Sequence, residues 1–186
     1  TAENSSTPND MILSPSSQNT VIPEDEDPTH TIGCGLYLAK GSGELKLTSA
    51  NPQEKPHMDY RYLQDPWDRH RLREAVRLAV QLLEDSAFVP WVKERVTPTD
   101  EDLATDDALD AWMLRTVSTS YHISGTCKMG PVADPMAVVD QYCLVHGVQG
   151  LRVVDASVMP NVVRANTAAT TIMIAEKVSD FIKSGK

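Results

Sequence analysis

The chain has 186 residues, 41% of them apolar, 23% charged and 5% aromatic. That is one ordinary domain's worth of sequence, enough to bury a core without metal or disulfide staples. Acidic residues outnumber basic ones 26 to 17, for a formal charge of −9, and a surface that negative repels phosphate backbones and anionic lipid, which argues against nucleic-acid and membrane-surface partners. No apolar run reaches the roughly 18 residues of a membrane span, and Thr1 opens a polar stretch rather than a signal peptide. The three cysteines, Cys34, Cys127 and Cys143, are odd in number, far apart and free of any C-x-x-C pair. They read as free thiols in a reducing compartment, which favours the cytoplasm.

Residues 1–30 are rich in Ser, Thr, Asn, Pro and Asp, with Met11-Ile12-Leu13 and Val21-Ile22 as their apolar content. The pattern predicts an irregular segment with one short strand, cut from something longer. Residues 32–39 read as a strand, Lys40-Gly41-Ser42-Gly43 as a tight reversal, and residues 44–48 as a second strand with period-2 alternation. Together they predict an antiparallel hairpin with one wet face.

Asp65-Pro66 is a helix start, because Asp accepts from orphan N–H groups and Pro needs no donor in the first turn. Leu72, Ala75, Ala79, Leu82 and Leu83 then recur at helical spacing as far as Asp85, which places Arg69, Arg71, Arg73 and Arg77 toward water. Thr99-x-x-Asp102 has the form of a capping box. Leu109, Trp112, Met113 and Thr116 mark the inner stripe of a further helix.

In the last third, Val138-Val139-Asp140 and residues 151–155 are short β-rich runs joined through His146-Gly147-Val148-Gln149-Gly150. The stretch from Ala168 to Ala175 has no polar side chain stronger than threonine, so this half-helix is expected to be buried nearly all round. Asn166 stands at its start, and two readings are open. It caps the helix and faces a loop, or the helix end, with its unpaired N–H groups and positive dipole, seats an electron-rich ligand atom. His122 likewise reads either as a general base or as a satisfied core histidine. The other histidines have no partner at metal-ligand spacing, and Cys127, Cys143 and His146 are too far apart for a zinc site. A hydrolase built on His122 and Asp155 lacks a G-x-S-x-G elbow. No G-x-G-x-x-G turn or P-loop is present, so the chain has no dinucleotide-binding turn of its own.

Residues Tyr121-His122-Ile123-Ser124-Gly125-Thr126-Cys127-Lys128-Met129-Gly130 closely resemble the C-terminal signature of the glucose–methanol–choline (GMC) family of FAD-dependent oxidoreductases. Val138-Val139-Asp140, the run from Val145 to Pro160, Asn166-Thr167-Ala168-Ala169 and the final helix follow in the family's order. Residues 32–48 and 59–85 also look like its upstream part, so that the resemblance extends over roughly residues 20–186.

The resemblance implies an α+β fold, in which an antiparallel sheet flanked by helices forms a substrate domain and the last strand and helix complete the FAD domain. Beyond the irregular segment read from composition over 1–30, it implies the substrate-domain hairpin and helices over 31–137, and the strands and helix that complete the FAD site over 138–186. It further implies that His122 takes the hydroxyl proton of an alcohol while hydride passes to flavin N5, with Asn166 as hydrogen-bond donor to the substrate oxygen. Thr167 and Ala168 would approach the flavin's pyrimidine edge through their backbone. Asp155 and Ala156 would lie by the FAD ribityl and phosphate region, with the Ala156 N–H as the contact. Residues 86–105 are the expected contributors to substrate choice. Partners are then a small alcohol and the N-terminal FAD-binding part; without that part the chain is expected to be colourless and inactive. The competing reading is a binding module derived from this domain, without redox chemistry.

Overall fold

The computed structural model describes residues 1–17 and 30–186, so Val21-Ile22 lies outside the described residues. The fold is α+β, with small antiparallel sheets and flanking helices. Contacts divide it into two compact units, Thr1–Ser118 and Thr119–Lys186.

In the first unit, β1 (Met11–Ser17) pairs antiparallel with β2 (His30–Leu36), from Met11 opposite Leu36 to Ser17 opposite His30. A separate sheet joins β3 (Glu44–Lys46) to β4 (His57–Asp59), with Leu45 opposite Met58. The expected hairpin between residues 32–39 and 44–48 therefore does not form. Its two halves have different partners, for a reason visible in the core. Met11 and Leu13 of β1 and Cys34 and Leu36 of β2 all pack on the cluster of Leu63, Leu72, Ala75, Val76, Leu109 and Met113, and a non-local pairing that buries apolar side chains outweighs a local turn signal. The glycines read as a turn serve close packing instead. Gly41 donates its N–H to the Asp68 carboxylate at 2.8 Å, and a Cβ on Gly43 would lie 2.3 Å from the Asp59 carbonyl oxygen.

Helix α1 (Pro66–Leu83) begins as its sequence predicts: the Asp65 carboxylate accepts from the N–H groups of Trp67 and Asp68 at 2.8 and 3.2 Å, and Pro66 opens the first turn. Leu72, Ala75 and Ala79 are buried, together with Val76 and Val80, whereas Leu82 faces solvent. Arg71 does not face water. It is 2% exposed, held by the Asp68 carboxylate at 2.6 Å and by the carbonyls of Tyr37, Leu38 and Asp10. A short helix α2 (Asp100–Leu103) carries the expected Thr99–Asp102 capping box. Helix α3 (Asp106–Thr116) is capped by Thr105 and buries Leu109 and Met113. Thr116, expected on the inner stripe, is exposed and donates its hydroxyl back to the Trp112 carbonyl.

The second unit packs Val139, Cys143, Val158 and Val178 at its centre, with Val153, Val154, Ile174 and Phe181 against them. Its β-rich runs meet as single bridges rather than strands, Val139 with Met129 and Val145, and Leu144 with Arg152. Asp140 explains why. Its carboxylate accepts from the N–H groups of Tyr142 and Leu144 at 2.8 and 2.9 Å, which turns the chain before a ladder can propagate. Helix α4 (Ala168–Lys183) departs from the expectation that its first half is enclosed: Ile172 and Met173 are 63% and 57% exposed. The unit supplies packing for one stripe, that of Ile174, Val178 and Phe181. All three cysteines are free thiols. Among the described residues, no helix is long and apolar enough to cross a membrane.

Candidate active site

His122 lies in an irregular segment whose backbone is tightly specified. Tyr121, just before it, has φ 64°, the left-handed region that costs a non-glycine residue roughly 1–2 kcal/mol. Its N–H is held by Thr119 Oγ1 at 2.9 Å. Gly125, three residues after His122, has φ 82°, a conformation open to glycine at no steric cost.

Beyond His122 the chain runs beside the turn Ala156–Val158. The N–H groups of Gly125, Cys127 and Met129 donate to the carbonyls of Ala156, Ser157 and Val158 at 3.4, 2.9 and 2.8 Å. Asp155 caps that turn, its carboxylate accepting from the Ser157 N–H at 2.8 Å. The Ala156 N–H opens the turn and has no acceptor within it, the usual condition of a first-turn donor. The motif around His122 and the 155–158 motif, distant in sequence, are thus one hydrogen-bonded assembly.

The third piece is the start of α4. Thr167, not Asn166, occupies the cap position, with φ −73° and ψ −17°, and no side chain caps the first turn. The expected Asn166 cap is therefore not formed. A cap residue needs an extended backbone for its side chain to reach the first-turn amides, and the helical dihedrals of Thr167 carry its hydroxyl elsewhere. That hydroxyl meets the imidazole: His122 Nδ1 and Thr167 Oγ1 are 3.1 Å apart. Both residues are half-buried, while Asn166, Ala168 and Ala169 are exposed.

The structure thus joins His122 directly to Thr167, sets Asn166 and Ala168 on either side of that contact in the chain, and ties Ala156 to His122's segment through Gly125. Asp155 is exposed and serves its own turn. Sequence reasoning assigned Thr167 a backbone role and missed its side chain; two polar residues competing for one cap position were the available signal. His146 also has a partner, its Nε2 lying 3.0 Å from the Gly130 carbonyl oxygen, which anchors the end of the His122 segment.

The GMC oxidoreductase family profile matches residues 39–175. The chain belongs to the GMC oxidoreductase family. It is 42% identical over 152 residues to the oxygen-dependent choline dehydrogenase of Proteus mirabilis (strain HI4320), covering 82% of this chain and 27% of that protein. The chain thus spans about a quarter of the length of the curated relatives it matches. Among solved structures, pyridoxine 4-oxidase from Mesorbium loti superposes with a TM-score of 0.80 at 24% identity, over 92% of this chain and 34% of that one. Formate oxidase from Aspergillus oryzae RIB40, in a structure concerned with FAD modification, gives 0.75 at 26%, over 91% and 29%. As a GMC chain, it carries the signature segment 121–130 and the α4 start in direct contact, the geometry on which a functional reading rests.

Proposed function

We propose that this chain supplies the proton-accepting side of the active site of an FAD-dependent alcohol oxidoreductase. The observation that carries the reading is the contact of the His122 imidazole with Thr167 at the uncapped start of α4. It sets a titratable base beside free backbone donors and the positive end of a helix dipole. FAD, held through the backbone of Thr167, Ala168 and Ala156, would supply the hydride acceptor for oxidation of the alcohol.

The residues present fit that group. The first-turn N–H groups of α4, free of any side-chain cap, suit an electron-rich ring edge, and the dipole favours negative charge there by roughly 0.3–2 kcal/mol. Thr167 and Ala168 would hold the pyrimidine edge through their backbone. At the 155–158 turn the Asp155 carboxylate is already engaged by Ser157, so the Ala156 N–H is the group left to meet the ribityl–phosphate region.

His122 then acts at Nε2, taking the hydroxyl proton from a small alcohol, while the exposed Asn166 amide donates to the substrate oxygen. General-base removal of that proton contributes about 10²–10⁴-fold in rate, and holding the alcohol between two groups adds alignment. The remaining partner is a polypeptide with the flavin-binding turn that these residues lack. Ile172 and Met173, apolar and exposed on α4, support this, since they offer dry surface for such a partner. The similarity to a choline dehydrogenase supports an alcohol as donor.

The test is anaerobic, alcohol-driven flavin reduction in the enzyme assembled with its flavin-binding part. His122→Ala should slow reduction at least about tenfold with FAD still bound. Unchanged reduction kinetics would reject the role.

A further inference from the structure

We propose that Thr167 is a positioning residue for His122, its side-chain oxygen accepting a hydrogen bond from Nδ1–H and so reserving Nε2 as the proton acceptor. The inference rests on the proposed function for its consequence, but the tautomer itself is a property of this chain alone.

A contact of 3.1 Å between Nδ1 and Oγ1 has two polarities. If the threonine hydroxyl donates, the neutral ring carries its proton on Nε2 and has no lone pair there to offer. If Nδ1–H donates, Nε2 is bare and basic. Which nitrogen holds the proton is set by the hydrogen bond made by the other one.

Two features favour the second polarity. First, Thr167 sits at a helix cap yet its oxygen accepts from no first-turn amide, so both lone pairs are open to the imidazole. Its backbone carbonyl is occupied separately, accepting from the N–H of Thr171 and from the Thr171 hydroxyl, each at 2.9 Å; the Thr171 hydroxyl thus fixes the turn without competing for Oγ1. Second, only this polarity survives the chemistry. An imidazolium donates from both nitrogens, so an oxygen that accepts from Nδ1–H before proton uptake accepts from it afterwards, and nothing rotates. With the opposite polarity the hydroxyl would have to turn over during the step. A preorganised partner avoids that reorganisation.

Long-range ¹H–¹⁵N correlation spectra of this chain, at a pH high enough for a neutral ring, read the tautomer directly. Wild-type His122 should show the pattern of a protonated Nδ1. Thr167→Ser should keep it, and Thr167→Val should shift the population toward protonated Nε2. A wild-type spectrum of the protonated-Nε2 tautomer overturns the proposal without any variant, as does a Thr167→Val spectrum identical to wild type.

In the assembled enzyme, Thr167→Val should lower kcat at least about tenfold with little change in KM, and Thr167→Ser should restore it. A loss carried by KM alone would also overturn the assignment. If His122→Ala leaves flavin reduction intact while the spectra show protonated Nδ1, the proposed function fails and the threonine contact stands. The reverse pairing of results rejects the threonine role alone.

Discussion

Arg71 occupies a position that its helical pattern assigns to solvent, yet it is among the most deeply buried side chains of its unit. A buried guanidinium is costly unless its charge and most of its donors are met, and of the Arg71 nitrogens Nε alone has no partner. Here Asp68 meets the charge at 2.6 Å, three backbone carbonyls take further N–H groups, and Asp10 Oδ2 lies 3.7 Å away. Asp68 in turn accepts the N–H groups of Lys40 and Gly41, so one residue fastens the N-terminal segment and the loop after β2 to α1. Arg71→Ala leaves two carboxylates buried without their cation and should cost about 3–5 kcal/mol in urea denaturation. Arg71→Lys should recover little of it, since an ammonium cannot reach carbonyls in several directions from one planar fork. A loss in the alanine variant below about 1 kcal/mol, the range of an exposed ion pair, would show that the cluster is not a structural fastening.

Elements were legible in the sequence where their causes are local. The starts of α1 and α2 follow from Asp65-Pro66 and from Thr99-x-x-Asp102, because a cap is chemistry between residues two or three apart, and both caps form as read. Asp65→Ala should therefore lower stability by about 1 kcal/mol, seen as a downward shift of the thermal midpoint; an unchanged midpoint would mean that packing alone fixes where α1 begins. The partner of β2 was not legible. Nothing within a few residues of Cys34 or Leu36 shows that Met11 and Leu13 will share their core face, whereas Gly41 and Gly43 advertise a turn locally and are used for close approach instead. Asn166 failed as a cap for the same reason in miniature: its neighbour Thr167 adopts helical dihedrals and takes the position. In the candidate site, His122 and the start of α4 were readable as motifs, while the hydroxyl that links them depended on backbone angles that no spacing rule reports. The enclosure expected for α4 was a statement about its own composition. How much of that surface is covered depends on what packs against it, and in this unit one stripe is covered.

At the scale of the whole chain the controlling quantity is charge. The formal charge is −9, and among the described residues several carboxylates, Asp10, Asp106 and Asp134 among them, are engaged by neighbouring donors or cations. Burial pushes Asp10 up, but the Ser5 hydroxyl, the Ala2 N–H and the Arg71 guanidinium outweigh it and hold the carboxyl below its ordinary value. Lys128 beside Asp134 and Arg77 beside Asp106 act in the same direction. A carboxyl whose folded pKa lies below its unfolded one contributes stability that is complete above the unfolded value and is lost as pH falls through the folded one. Acidification from neutrality first relieves net repulsion as the chain approaches its isoelectric point near 4.9. Below that point the lysines and arginines repel one another just as the paired carboxylates begin to bind protons. Stability in urea should therefore change little between about pH 7 and about pH 5 and fall steeply below about pH 4. Asp10→Asn should be less stable than wild type at about pH 7 and should lose less on moving to about pH 3, because one of the groups that must take up a proton on unfolding is gone. Parallel pH profiles for the two proteins would mean that Asp10 is no source of the acid sensitivity, and the burden would pass to the exposed pairs, where added salt should weaken it.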